Sequence, residues 1–293
     1  MTQPESQSSE SKPAAAVLPA LTFADVLQPA WRAAPRVRAL VSTRNGGVSL
    51  PPYGRWHDGV ETAGGLNLGR LAGDDPARVA ENRARLLALT GAVEAAWLEQ
   101  VHGAQVVDAH DVLARARAGE PPVRADASVT NQPDTICVVM IADCMPVLLC
   151  DADGRAVGAA HAGWRGLSAG VVEKTAQRVA ELAGAELGSL HAYLGPCIGA
   201  QTFEVGEDVR DAFMNGADDS QHEATARAFV PRSAMPGKYL ADLPALARLR
   251  LQRLGVTHIT GGDACTVTQR ERFYSYRRDR VTGRMAAMIW LAD

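Results

Sequence analysis

Three residues carry side chains that bind a soft divalent ion, and each stands where an apolar run meets glycine or proline. They are His102 in QVHG, Cys144 in ADCMP and His161 in HAGWRG. Two imidazoles and one thiolate are the ligand set of an open catalytic zinc site, whose fourth position is left to water or substrate. The three lie too far apart along the chain for a zinc finger, so such a site would have to be assembled by the fold. The same atoms also support metal-free chemistry, with Cys144 as nucleophile and His161 as its base. No fourth protein ligand stands out; Cys137 and Cys150 lie in strand-like runs.

Around this set are groups suited to an anionic or planar ligand. Arg44, followed by Gly46-Gly47, and Arg277-Arg278, preceded by Ser275-Tyr276, offer guanidinium forks of the kind that hold phosphate or carboxylate. Trp164 and Tyr276 could stack on a planar base.

The elements that must position these residues centre on residues 136–166. Three apolar runs, Ile136 to Ala142, Val147 to Cys150 and Ala156 to Ala160, predict a strand meander. The turn Asp143-Cys144-Met145-Pro146 separates the first two, and the hairpin signal Asp151-Ala152-Asp153-Gly154 the last two. Cys144 and His161 then fall at strand ends, where a rigid sheet presents side chains to a ligand.

Upstream, Arg36 to Thr43 predicts a strand turned by Arg44-Asn45-Gly46-Gly47, followed by a loop from Ser49 to Gly65. Asp75 before Pro76 opens an amphipathic helix with Val79, Leu86 and Leu87 on one face, closed by Gly91. Two strand-like pieces within Ala96 to Val107 meet at His102. Downstream, the pattern predicts a helix from Ser168 to Ala183 stopped by Gly184, and a strand at Leu190 to Leu194. A short helix at about Glu207 to Met214, a polar loop from Asn215 to Ala228, and a helix capped by Asp242 through Leu254 follow. The last segment holds strands around Arg277 to Gly283 and at Met285 to Leu291. Helices and strands mix without strict βαβ alternation or a glycine-rich phosphate loop, which points to an α+β domain with a mixed β-sheet core flanked by helices.

The chain has 293 residues, 47% of them hydrophobic, enough for one large domain or two closely packed ones. Its net charge of −3, with scattered arginines, gives no footprint for nucleic acid or an anionic membrane. Five cysteines without a CxxC pair suit a reducing compartment, and no apolar stretch reaches the roughly 20 residues of a membrane span. No secretory signal is visible, so the expected location is cytoplasmic. Residues 1–20, rich in Ser, Glu, Gln, Pro and Ala, are expected to form a disordered tail before a catalytic domain at 21–293.

Read together, STRNGG (42–47), LNLG (66–69), LEQVHG (98–103), ADASVT (125–130), ADCMPVLLCD (142–151), GAAHAGWRGL (158–167), LGPCIG (194–199), FEVG (203–206), FYSYRRD (273–279) and TGRMAAMIWL (282–291) run in one order from about residue 36 onward. The sequence so resembles the YfiH-like family, also called the laccase-domain or polyphenol oxidase family and, for some bacterial members, peptidoglycan editing factor. The resemblance implies a single-domain YfiH-like fold and a metal site formed by His102, Cys144 and His161, with zinc as the ion in preference to copper. It further implies a purine nucleoside phosphorylase acting on adenosine, inosine, guanosine and S-methyl-5′-thioadenosine, with deamination of adenosine. Nucleosides and phosphate would be its small-molecule partners, and carried over by motif, Arg44, Asn67 and Arg277 would lie by them. One departure stands out: Arg280 follows Asp279 where the family pattern has glycine.

Two other functions compete. A cysteine hydrolase would use Cys144 and His161 to remove a wrong first amino acid from UDP-linked peptidoglycan precursors. A copper polyphenol oxidase would need many histidines, typically in His-x-His pairs, and the seven here form none.

Overall fold

In this computed structural model residues 19–92 and 94–293 are described, so all but the last two residues of the expected tail lie outside them. In chain order, strands β1 (Val37–Val41) and β2 (Asn45–Ser49) lead to a hairpin of β3 (Arg55–His57) and β4 (Val60–Thr62), then helix α1 (Pro76–Ala88). β5 (Val106–Asp108) and α2 (Ala109–Arg117) precede the central strands β6 (Ala127–Thr130), β7 (Cys137–Ile141), β8 (Met145–Asp151) and β9 (Val157–Ala162). Helices α3 (Trp164–Ser168) and α4 (Val171–Ala183) are followed by β10 (Leu190–Leu194), β11 (Glu204–Gly206), α5 (Glu207–Met214) and α6 (His222–Arg227). β12 (Phe229–Pro231), β13 (Lys238–Ala241), α7 (Leu243–Arg253), β14 (His258–Gly261), α8 (Tyr276–Asp279) and β15 (Met285–Leu291) complete the order.

The six-stranded sheet runs β14-β10-β8-β9-β6-β5 and is mixed: β10 with β14 and β5 with β6 are parallel, the other pairs antiparallel. A three-stranded antiparallel sheet, β1-β15-β7, lies against it. The sequence of β8 explains the stacking. Every residue of the strand is buried; Val147 and Leu149 point to one core, with Val172, Ala176 and Val179 of α4, while Leu148 and Cys150 point to another, with Val139 of β7 and Ala287 and Ile289 of β15. A strand covered on both faces must be apolar at every position rather than at alternate ones. The outer face of the three-stranded sheet, including Leu40, Val138 and Met288, packs on Leu66, Leu68 and the Leu86–Leu87 face of α1. The molecule is therefore a single α+β domain of four layers: α4 and α7, the large sheet, the small sheet, and α1.

Where local chemistry is strong, sequence and structure agree. Asp75 caps α1, its carboxylate accepting from Ala77 N–H at 2.8 Å, and Asp242 caps α7, accepting from Ala245 N–H at 2.9 Å. Gly184 closes α4 in the left-handed conformation expected of a helix-terminating glycine.

Elsewhere the fold departs from the sequence expectation. The three runs do not form a meander: β8 and β9 form the hairpin, but β7 joins the sheet of β15, because the turn at Asp143-Cys144 carries the chain from one sheet to the other. Met145 and Pro146 begin β8 rather than belonging to the turn, a proline being tolerated at the start of a strand. Asn45–Ser49 is extended instead of turned, since Gly46 and Gly47 both donate to Gly64 O at 3.1 Å. The 49–65 loop holds the β3–β4 hairpin, and the polar 215–228 stretch holds α6. Ser168 ends α3 and does not cap the long helix, which begins after Gly170. Residues 276–279 are helical, not a strand, with Ser275 accepting from Arg278 N–H at 3.2 Å as cap.

Candidate metal centre

His102, Cys144 and His161 arrive from three places: the loop before β5, the turn into β8 and the penultimate position of β9. The β8–β9 ladder sets Met145 opposite Ala162 and Pro146 opposite His161, which fixes two of the three side by side. Their ligand atoms all lie within 4.8 Å of one another, and the two imidazole rings meet edge to face with centroids 4.9 Å apart. His161 is buried, Cys144 half-buried and His102 exposed, so the cluster is open on one side only.

Asp126, at the entrance to β6, holds the group together. Its Oδ1 lies 2.9 Å from His161 Nδ1 and accepts from His102 N–H at 2.9 Å, while Oδ2 accepts from Gly103 N–H at 2.6 Å and Val101 N–H at 3.2 Å. These bonds hold the Val101–Gly103 turn, in which His102 takes a left-handed φ of 60°. They also leave Nε2 of His161 as the ring nitrogen free to face Cys144. An imidazole held by a carboxylate in this way is the usual support of a metal ligand. Gly163 provides the space, since a Cβ there would stand 2.8 Å from Cys144 Sγ.

The electrostatics agree with a thiolate. Burial pushes the Cys144 thiol up, but His161 and His102 outweigh it and bring the value down to about 6. Burial opposes charge on His161 too, yet Cys144 and Asp126 raise it to about 9. A soft anionic sulfur and two imidazoles within mutual reach match the three-ligand form of a zinc site, with the open side for a fourth ligand.

The cluster opens into a cavity of about 1530 Å³ whose wall includes Trp164, Tyr276 and Arg277. Arg277 lies there with its Nη1 donating to Glu204 O at 3.1 Å and its backbone N–H to Asp143 Oδ2 at 2.6 Å. Arg280, beside it, holds a left-handed φ of 61°, a value for which glycine is best suited. Arg44 and Asn67 are placed differently. Arg44 is buried over the Tyr274 ring, donates twice to Gly54 O and pairs with Glu61 at 2.6 Å. Asn67 is fully buried, donating to Asp74 and accepting from the N–H groups of Gly69 and Arg284. Neither lines the cavity. Arg278 is likewise spent on the carbonyls of Thr266, Val267 and Phe273. Asp126 was the residue missing from the sequence reading; an aspartate inside the apolar ADASV run, which must find partners to be buried, was its signal.

A four-layer domain with a two-histidine, one-cysteine cluster at its strand ends defines a class of proteins, and the sequence comparisons give that class its family. Residues 38–292 match the family described as "Multi-copper polyphenol oxidoreductase laccase", and the chain belongs to this YfiH-like, laccase-domain family. It is 48% identical over 269 residues to purine nucleoside phosphorylase YfiH of Escherichia coli, covering 91% of this chain and 98% of that protein. A purine nucleoside phosphorylase of Pseudomonas aeruginosa is 46% identical over the same shares. Among solved structures, a Neisseria meningitidis protein of the DUF152 family superposes with a TM-score of 0.78 at 44% identity, over 92% of this chain and 100% of that one.

Proposed function

We propose that this chain is a zinc-dependent purine nucleoside phosphorylase acting on adenosine, inosine, guanosine and S-methyl-5′-thioadenosine, and that it also deaminates adenosine to inosine. The observation that carries the reading is the convergence of His102, Cys144 and His161 in a cavity with stacking and guanidinium groups, in a chain nearly half identical to proteins named for that activity. The three residues are the proposed ligands, and zinc held there would supply a Lewis acid for a substrate oxygen. Asp126 fixes the tautomer and ring plane of His161. Tyr276 and Trp164, in the cavity wall, would stack on a purine, and Arg277 would meet the sugar or an oxyanion. In phosphorolysis a phosphate oxygen attacks the anomeric carbon, the bond from that carbon to the purine nitrogen breaks, and its electron pair leaves with the base. The cavity walls contribute by orienting the two reactants and excluding bulk water.

The test is chromatography of adenosine incubated with the protein, with and without phosphate. The expected outcome is adenine and ribose 1-phosphate only with phosphate, and inosine in both. Unchanged adenosine in both would overturn the reading. Cys144→Ala should lose bound metal and nucleoside activity together, with little loss of thermal stability because the residue sits at a strand end; full metal stoichiometry in that variant would refute the ligand assignment.

One observation favours a second reading: Cys144, His161 and Asp126 also form a thiol–imidazole–carboxylate series suited to a cysteine hydrolase that edits peptidoglycan precursors. It requires full activity from metal-stripped protein on a UDP-linked muropeptide. Multicopper oxidation fits less well, since among the described residues this trio is the one cluster able to hold an ion.

A further inference from the structure

The cavity wall away from the metal cluster is cationic in a way the cluster does not require. Arg83 of α1 is 7% exposed, yet no carboxylate among the described residues pairs with it. Its Nε donates to Leu68 O at 2.9 Å, its Nη2 reaches only the Met140 thioether at 3.6 Å, and its Nη1 donates to nothing among the described residues. The guanidinium is stacked 3.8 Å from the Trp97 ring centroid, which fixes its plane. Burial, then the charge of Arg70 beside it, pushes Arg83 down to about 9. Because a guanidinium stays charged in a protein, that figure reads as an uncompensated cost of holding the cation there.

Arg284 reaches the same place from the other side. Its stem lies across Gly69, where a Cβ would stand 2.6 Å from Arg284 Cγ, and its Nη1 is held by Thr282 O and Gly283 O, leaving Nε and Nη2 uncommitted. It is close enough to Cys144 and Asp143 for their charges to act on it. Arg70, Arg83 and Arg284 thus border the Leu68–Arg70 stretch, Arg83 through Leu68 O and Arg284 through its stem across Gly69; all three line the cavity, and none forms an ion pair among the described residues.

We propose that Arg70, Arg83 and Arg284 form an oxyanion subsite that seats inorganic phosphate in the cavity into which the metal cluster opens. The inference rests on the phosphorylase reading for its choice of free phosphate, whereas the anion site itself stands on three cations that form no ion pair among the described residues. Two parallel N–H groups of a fixed guanidinium match two phosphate oxygens, and the dry wall strengthens the pairing. The cavity, at about 1530 Å³, has room for a nucleoside and phosphate together.

Calorimetric titration of inorganic phosphate into the zinc-loaded full-length protein tests this. Saturable binding is expected, at least tenfold weaker in Arg83→Gln and Arg284→Gln and several-fold weaker in Arg70→Gln. Arg83→Lys should fall between, keeping the charge and losing the fork. Arg70 is exposed, so its variant keeps the test decisive if a buried substitution impairs folding. Equal phosphate affinity in wild type, Arg70→Gln and Arg83→Gln would overturn the proposal, as would absence of binding in wild type. Binding of adenosine 5′-monophosphate but not of inorganic phosphate, with the same dependence on Arg83, would overturn the assignment to free phosphate. Phosphate binding that depends on Arg83 in a protein that cleaves no nucleoside would uphold the subsite and overturn the phosphorylase reading alone.

Discussion

At the scale of single residues, the centre depends on Asp126 as much as on the three side chains it organises. One carboxylate accepts from three successive backbone N–H groups and orients a buried imidazole. Asp126→Asn keeps the shape and removes the charge, so the amide must turn a donor toward part of that set. Metal affinity should fall by roughly 10–100-fold, the usual cost of losing such a support; competition with a chelating dye measures it, and unchanged affinity would show that His161 needs no anchor. The trio was readable from sequence because all three residues sit where an apolar run breaks. Asp126 was not, because the search for ligands passes over the group that holds them. Arg44 is placed apart from the cavity: an arginine beside two glycines looks available, yet its charge is spent on Glu61 and the Gly54 carbonyl.

Among elements, β8 links both cores through alternate side chains. Leu148 is fully buried between the sheets. Leu148→Ala should therefore cost about 2–5 kcal/mol of stability, depending on how far the surroundings collapse into the cavity left behind. Urea unfolding followed by tryptophan fluorescence checks it, and a loss under about 1 kcal/mol would mean the sheets can close the gap. Elements with their own punctuation were legible: α1 and α7 from an aspartate cap with proline in the first turn, the end of α4 from its glycine. Sheet membership was not. β7 and β8 are both continuously apolar, so nothing in their patterns says that Asp143-Cys144 joins two sheets instead of turning within one. α6 escaped because only Thr225 of its six residues is buried, leaving no apolar stripe to find.

For the whole molecule, the dry interior sets a response to alkali. Burial pushes the thiols of Cys137 and Cys150 up from an ordinary value near 9 to about 12. Between those values the unfolded chain has given up thiol protons that the folded chain still holds. Since the unfolded state then binds fewer protons, stability falls as pH rises through that window, and below it the contribution is complete. The urea midpoint should decline from about pH 9 upward, and a Cys137→Ala/Cys150→Ala variant should decline less steeply; parallel curves would assign the loss to other groups. The same architecture governs how the chain comes together during synthesis. β15 is the middle strand of the small sheet, bonded to β1 on one side and β7 on the other. Residues 37–41 therefore emerge from the ribosome about 250 residues ahead of their partner, and β7 meets no neighbour in its sheet before 285–291 appear. The nascent protein carries two unpaired β edges until then, and a ribosome that stops a few codons short of them would release a sandwich missing its central slice.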